Sequence, residues 1–332
     1  MKQPEITVFG GSGFLGRSLV KRLAETGFRV RVAVRDTEAA SFLKVLGDTG
    51  QVVPWPANIT RPDQVVAAVK GAEYVVNLVG ILFKSKNQNF NNIHEIGAST
   101  IAECASLAGV KRLIHVTAIG ADDDSPSEYG RSKAAGMKSV KSVFPNANFV
   151  RPSVIFGAND NFFNLFAGLT RLTFALPIFG CPTIPKIKFF PKGGLISIDF
   201  YGEGGTKMQP VYVGDVADAI IRILSDPKTM GQTFDLGGPK VYSFKELMKL
   251  LLNITGRTRI LVPIPFGFAK VISWFFELWP SPLLTADQVN SLKRDNVVSG
   301  ENPGFKELGI SPKTPDAILP TYLHRFRVPA RK

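Results

Sequence analysis

Short apolar runs alternate with amphipathic stretches along the first half of the chain. Ile6–Phe9, Arg29–Val34, Gln51–Pro54, Tyr74–Val79, Arg112–Thr117 and Asn148–Val150 read as strands. The intervening Phe14–Thr26, Arg61–Lys70 and Asn92–Ala108 place apolar residues at helical spacing. Strand and helix exchanging at this pace imply βαβ units and a parallel sheet. The expected fold class is α/β, a doubly wound parallel sheet followed by a smaller C-terminal α/β lobe.

The texture changes after Gly157, so a first domain over 1–157 and a second over 158–332 are expected, with the chain crossing between them. Asn161–Gly180 is apolar and phenylalanine-rich, and Cys181–Gly205 is laced with proline and lysine. Regular α/β patterning returns at Pro210–Leu224, Thr233–Leu236 and Ser243–Leu252. The apolar stretch Phe266–Leu284 contains Lys270 and Glu277, which argues against a membrane span. It predicts a helix with bulk at Phe268, Trp274, Phe275, Phe276 and Trp279, either lying at a membrane interface or packed in the second core.

Charge sharpens this picture. Forty Lys and Arg against 27 Asp and Glu give a net charge of +13, which favours an anionic partner. The basic residues are scattered rather than gathered in one arm, so a membrane or protein partner is expected and nucleic acid is not. In Cys181–Gly205, Lys186, Lys188 and Lys192 interleave with Ile187, Phe189 and Phe190, a pattern suited to anionic lipid or to a solvated hairpin. Two cysteines, Cys104 and Cys181, make no disulfide framework, and His94, His115 and His324 are too far apart to suggest a metal site. Ile6–Phe9 begins almost at Met1, so no leader is expected; the chain reads either as cytoplasmic and bacterial in style, which Met1 favours, or as a mature form already trimmed.

Gly10-Gly11-Ser12-Gly13-Phe14-Leu15-Gly16 lies where the first strand turns into the first helix. Glycine is needed there for the sharp turn, for close approach of backbone to a pyrophosphate, and for helix–strand packing. The helix N-terminus then offers free N–H groups to the phosphates. This is the fingerprint of a Rossmann dinucleotide site. At the end of the second strand Arg35 suits a 2′-phosphate, with Arg31 as a helper; Asp36 follows and would suit a ribose hydroxyl. NADP(H) is therefore favoured, with NAD(H) left open. Asn58, Ile59 and Leu78-Val79-Gly80 continue the trench along the strand ends. Tyr129 and Lys133 are four apart on one helix face, where a nearby ammonium would favour the phenolate of a general acid–base.

These motifs, with Arg151-Pro152-Ser153-Val154-Ile155-Phe156-Gly157, resemble the extended or atypical short-chain dehydrogenase/reductase superfamily over residues 1–160. Pro210–Ala219 and Gly231–Gly238 extend the resemblance. His115–Ala121, Gln209–Val216, Pro282–Val289 and then Leu292 and Asp295–Val298 are similar to a narrower branch, the accessory nucleotide-binding subunit of respiratory complex I (the alpha subcomplex subunit 9 family). That resemblance implies tightly held NADPH and no turnover of its own, with a role in stability or assembly near the quinone site. It also implies other complex I subunits and an anionic membrane surface as partners, at the cytoplasmic face of a bacterial inner membrane. The cofactor residues it implies are Gly10, Ser12, Gly13, Phe14, Leu15, Gly16, Arg35, Asn58, Ile59, Leu78, Val79, Gly80, Thr117, Tyr129, Lys133, Pro152, Ser153 and Val154. The alternative is a free-standing NADP-dependent reductase or epimerase with Tyr129, Lys133 and Thr117 as catalytic residues. Thr117 is the only hydroxyl in the run His115–Ala121, beside Ala118 and Ile119, so activity depends on whether it faces the nicotinamide.

Overall fold

Strands sandwiched between helix layers bury both faces, and the first one shows it. In β1 (Glu5–Phe9) Ile6, Thr7, Val8 and Phe9 are all buried. The computed structural model describes residues 3–85, 88–189, 196–280 and 282–328. After β1 come α1 (Phe14–Glu25), β2 (Arg29–Val34), β3 (Val52–Pro56), α2 (Pro62–Val69) and β4 (Tyr74–Asn77). A wide π-turn at Asn91–Ile96 leads into α3 (Gly97–Leu107), then β5 (Arg112–Val116), α4 (Glu128–Val143) and β6 (Asn148–Pro152). Much later α5 (Val213–Ser225) and β7 (Thr233–Leu236) complete the set. The seven strands lie in the order β7-β6-β5-β4-β1-β2-β3, and every neighbouring pair is parallel.

Strand order reverses between β1 and β4, which opens a crevice at their carboxyl ends where such sheets bind ligands. Helices α1 and α5 pack together, and α3 packs with α2 and α4. The predicted fourth strand stops at Asn77 because its Oδ1 accepts the N–H of Val79 and turns the chain.

The chain forms two units. The first comprises Met1–Pro152, Val213–Gly237 and Val298–Pro312; the second comprises Ser153–Tyr212, Gly238–Val297 and Lys313–Lys332. The break falls after Pro152 rather than Gly157, since β6 continues two residues beyond the predicted Val150. The sequence division at 157 also assigned α5 and β7 to the second lobe. Parallel pairing of Phe234 with Val150 places β7 in the first unit's sheet instead.

In the second unit the phenylalanine-rich stretch becomes core. Phe156, Phe163, Phe166 and Phe179 cluster with Phe244 and Leu247 of the helix Phe244–Thr255. That helix opens with a capping box between Ser243 and Glu246. Ala175–Phe179 runs parallel to Ile260–Ile264, and the backbone of Lys186–Phe189 pairs antiparallel with Ile196–Asp199. Phe190 and Lys192, part of the expected lipid-facing pattern, lie outside the described residues. The predicted long helix is shorter, Phe266–Phe276, and no helix among the described residues is long and apolar enough to cross a membrane.

Candidate functional site: a nucleotide cradle in the first unit

Three glycine positions of the cradle admit no side chain. Gly10 has φ +77°, and a Cβ there would meet the Leu78–Val79 backbone of the facing loop at 3.2 Å. A Cβ on Gly11 would lie 2.5 Å from Val32 Cγ1, and one on Gly16 would lie 2.4 Å from the Gly10 carbonyl. The Gly13 amide donates to the Gly10 carbonyl at 3.0 Å and closes the turn. Gly13 then caps α1 without a side-chain hydrogen bond, and the first turn holds no acid, so the positive end of the helix stays available to an anion.

A cavity of about 290 Å³ lies over this turn. Of the residues named from the sequence, Gly10, Ser12, Gly13, Arg35, Asn58, Ile59, Leu78, Val79 and Gly80 line it. Ile81, Gln88 and Ile93 also line it and were not anticipated. Leu15 and Gly16 sit behind the turn, where Leu15 is buried, and Phe14 opens the helix.

The exposed Arg35 stands at the cavity mouth, while Asp36 is engaged elsewhere. Its Oδ1 accepts the backbone N–H groups of Glu38 at 3.0 Å and Ala39 at 2.9 Å. Arg31 does not assist. It pairs with Glu5, donates to the Ala68 and Lys70 carbonyls and stacks on Trp55, because its mid-strand position aims it away from the strand end.

Tyr129 and Lys133 sit on α4, neither lining the cavity wall itself. The Lys133 amine nevertheless reaches the cavity's Gly80, where an added Cβ would come within 2.9 Å of Nζ. Burial lowers the Lys133 pKa to about 8 and raises the Tyr129 phenol to about 12. The expected bias of Tyr129 toward phenolate is therefore absent, since burial is the cause that sets its shift and it holds the neutral form. Thr117 is also buried and outside the cavity lining, and its Oγ1 makes no hydrogen bond among the described residues.

His115, read from sequence as a core residue, is buried in β5 and accepts from Asn77 Nδ2 through Nδ1 at 3.0 Å. His94, unassigned by the sequence, is buried between Gly80–Ile81 and α4. Its Nε2 accepts the Ile81 N–H at 3.0 Å and its Nδ1 meets Ser132 Oγ at 2.8 Å. Its one local signal is the short spacing to Gly97, whose missing Cβ lets the π-turn press on Ile59. Pro152 ends β6, opposite Leu236. The Ser153 hydroxyl is engaged with Asn296, and the Val154 carbonyl accepts from Val211, both within the second unit.

A parallel sheet reversing at β1/β4, with a glycine turn that only backbone can line, defines a Rossmann protein built to hold a dinucleotide. An NAD(P)H-binding family profile matches residues 10–147. The chain is 35% identical to mouse mitochondrial NADH dehydrogenase (ubiquinone) 1 alpha subcomplex subunit 9, over 92% of this chain and 76% of that one. It is 34% identical to the Arabidopsis thaliana protein of the same name, over 97% and 77%. In fold it matches an NADPH-dependent quinone oxidoreductase from Escherichia coli solved with NADPH, at TM-score 0.70 and 16% identity, covering 97% of this chain and all of that one (100%). The chain belongs to the alpha subcomplex subunit 9 family.

Proposed function

We propose that this chain is an accessory subunit of respiratory complex I that binds NADPH for stability or assembly near the quinone site rather than for turnover. The observation that carries the reading is a turn at Gly10–Gly16 that only backbone can line, facing a cavity lined by Arg35, Asn58 and Gly80. The family relation supplies the partner. When bound, NADPH brings a hydride donor and its phosphates, and the chain's own residues bind and orient it. The Gly10–Gly16 backbone and the α1 N-terminus receive the pyrophosphate, Arg35 the 2′-phosphate, and Asn58 and Ile59 the adenine side. Lys133 and Tyr129 hold the nicotinamide ribose beside Gly80. Arg35 at the cavity mouth suits a 2′-phosphate and supports NADPH over NADH.

The exposed aromatic face of Phe266–Phe276, joined to the chain's net charge of +13, supports a peripheral seat on an anionic membrane. Mild-detergent solubilisation followed by size fractionation tests the whole reading. Migration with NADH:quinone oxidoreductase activity is expected; recovery of this chain solely as a small species would refute the subunit assignment. In that event the Tyr129/Lys133 pair on α4 favours a free-standing reductase, testable by NADPH oxidation with carbonyl or quinone substrates.

A further inference from the structure

We infer that His94 is a positioning residue for the bound nucleotide, a neutral imidazole that locks the Gly80–Ile81 wall of the cavity to helix α4. The inference rests on the nucleotide-binding reading above. A backbone amide can only donate, so the 3.0 Å contact between the Ile81 N–H and His94 Nε2 makes Nε2 an acceptor without a proton. A neutral ring must then carry its proton on Nδ1, which donates to Ser132 Oγ at 2.8 Å. Ser132 Oγ in turn donates to the Tyr129 carbonyl at 2.8 Å. Each bond runs in one direction, from the cavity wall through the ring to the turn of α4 that bears Tyr129 and Lys133.

Packing holds the ring in the same orientation. Phe90 stacks on His94 with centroids 5.4 Å apart, and Tyr129 meets it edge-on at 5.4 Å. The α4 face comes close enough that a Cβ on Gly136 would overlap the His94 carbonyl oxygen at 1.9 Å. The groups facing the ring oppose a second proton. Burial first, then Lys133 and His115, lower its pKa to about 2, while the Ile81 contact acts the other way and does not prevail. The bracket therefore stays neutral across the physiological range. Gly80 lies against both the Lys133 amine and His94 Nε2, where an added Cβ would come within 2.9 Å and 3.6 Å of them, so the wall beside the Lys133 amine is held by this ring.

Two measurements test this. In the wild-type protein with 15N-labelled histidine, His94 is expected to show a protonated Nδ1 and a bare Nε2, unchanged between pH 5 and 9. His115 serves as an internal contrast. Asn77 Oδ1 accepts from Val79, so its Nδ2 faces His115 Nδ1, and that ring must carry its proton on Nε2. A His94 ring protonated on Nε2, or on both nitrogens, would overturn the inference whatever any variant does. Second, NADPH titrations compare His94→Phe, which keeps a ring and loses both bonds, with His94→Gln, whose amide oxygen can still accept from Ile81. His94→Phe is expected to weaken NADPH about tenfold, the usual consequence of stranding a buried N–H. His94→Gln is expected to recover most of that loss. Equal affinities for wild type and both variants, or losses that do not differ between the variants, would overturn the positioning role. Failure of the wild type itself to bind NADPH would instead refute the nucleotide-binding reading, and the two failures are thus distinguishable.

Discussion

Along α1 in the first unit, Leu15, Leu19, Val20 and Leu23 turn inward and Arg17, Lys21 and Glu25 outward. Along Phe266–Phe276 in the second unit only Ala269 and Ser273 are buried, while Phe268, Trp274 and Phe275 are exposed. The first pattern is that of a surface helix covering its own core. The second is inverted, with small residues in and aromatic bulk out. Its exposed run continues through Leu278 and Trp279, whereas in the first unit large exposed apolar residues stand singly, apart from the pair Phe42 and Val45. Scattered apolar residues need no explanation, but a concentrated face does. The first unit thus presents a cavity lined by backbone and Arg35, and the second an exposed apolar helix face.

The largest effect expected from breaking this contrast is at Gly16. An alanine methyl there would lie 2.4 Å from the Gly10 carbonyl and 2.5 Å from Gly11 Cα, both backbone, so α1 must move off the turn. Gly16→Ala is expected to abolish measurable NADPH binding and to lower stability by about 1–3 kcal/mol. Gly267→Ala, in the exposed helix where nothing lies within 4 Å, is the control in the second unit. It is expected to leave binding intact and to stabilise by up to roughly 1 kcal/mol. NADPH fluorescence titration and thermal melts read both, and equal effects would dissolve the distinction between the units.

Arg35→Ala comes next. It removes the guanidinium at the cavity mouth without touching the core, and should weaken NADPH by about 10–100-fold while leaving NADH nearly unchanged. Equal weakening of both nucleotides would show that Arg35 does not read the 2′-phosphate. If instead NADH binds more tightly than NADPH in the wild type, Arg35 at the cavity mouth is not the discriminator it is taken to be here.

An effect spread over a pH range, rather than placed at one position, is expected on acidification. His94 and His115 are held neutral in the native state, at about 2 and about 3 against an ordinary 6.5. Below about pH 6 the unfolded chain binds protons at both positions that the native state excludes. The unfolded state thus binds more protons, and the free energy of unfolding rises with pH across this window and falls as pH drops. Each ring contributes about 1.4 kcal/mol per pH unit. Urea unfolding of the nucleotide-free protein between pH 7 and 4.5 should show a slope that is shallower by about one proton in His94→Gln. An unchanged slope would mean that His94 accepts its proton in the folded protein.

How much of this was legible in the sequence depended on how local its cause is. The glycine turn was readable because Gly10, Gly13 and Gly16 answer to geometry within seven residues, and the place of Arg35 at the cavity because it sits at a strand end. Arg31 was misread: the strand period gives its face but not the pull of Glu5 and of the carbonyls at Ala68 and Lys70, far along the chain. The sequence showed His94 only as a histidine without metal-ligand spacing. Its role is set by Ile81 on one loop and Ser132 on another helix, 13 and 38 residues away. The aromatic helix was legible as a helix, but its composition did not say which side faced the core. That was settled by Ala269 and Ser273, four apart, being the side small enough to pack inward.

The smallest expected effect on stability is also the most informative about the second unit. Trp274→Ser combined with Trp279→Ser removes two indoles that are 58% and 65% exposed. Because these side chains are already solvated, folding should change by no more than about 0.5 kcal/mol for each substitution. NADPH affinity should be unchanged, since the cradle lies within the first unit. Co-sedimentation with phosphatidylglycerol-containing vesicles is expected to fall several-fold, and raising the salt should weaken what remains, because the net charge of +13 acts through screened attraction. If the variant sediments with vesicles as the wild type does but no longer migrates with NADH:quinone oxidoreductase, the inverted helix faces a protein and not lipid. If neither property changes, the apolar face of Phe266–Phe276 serves no docking role, and the contrast between the two units would reduce to one of composition.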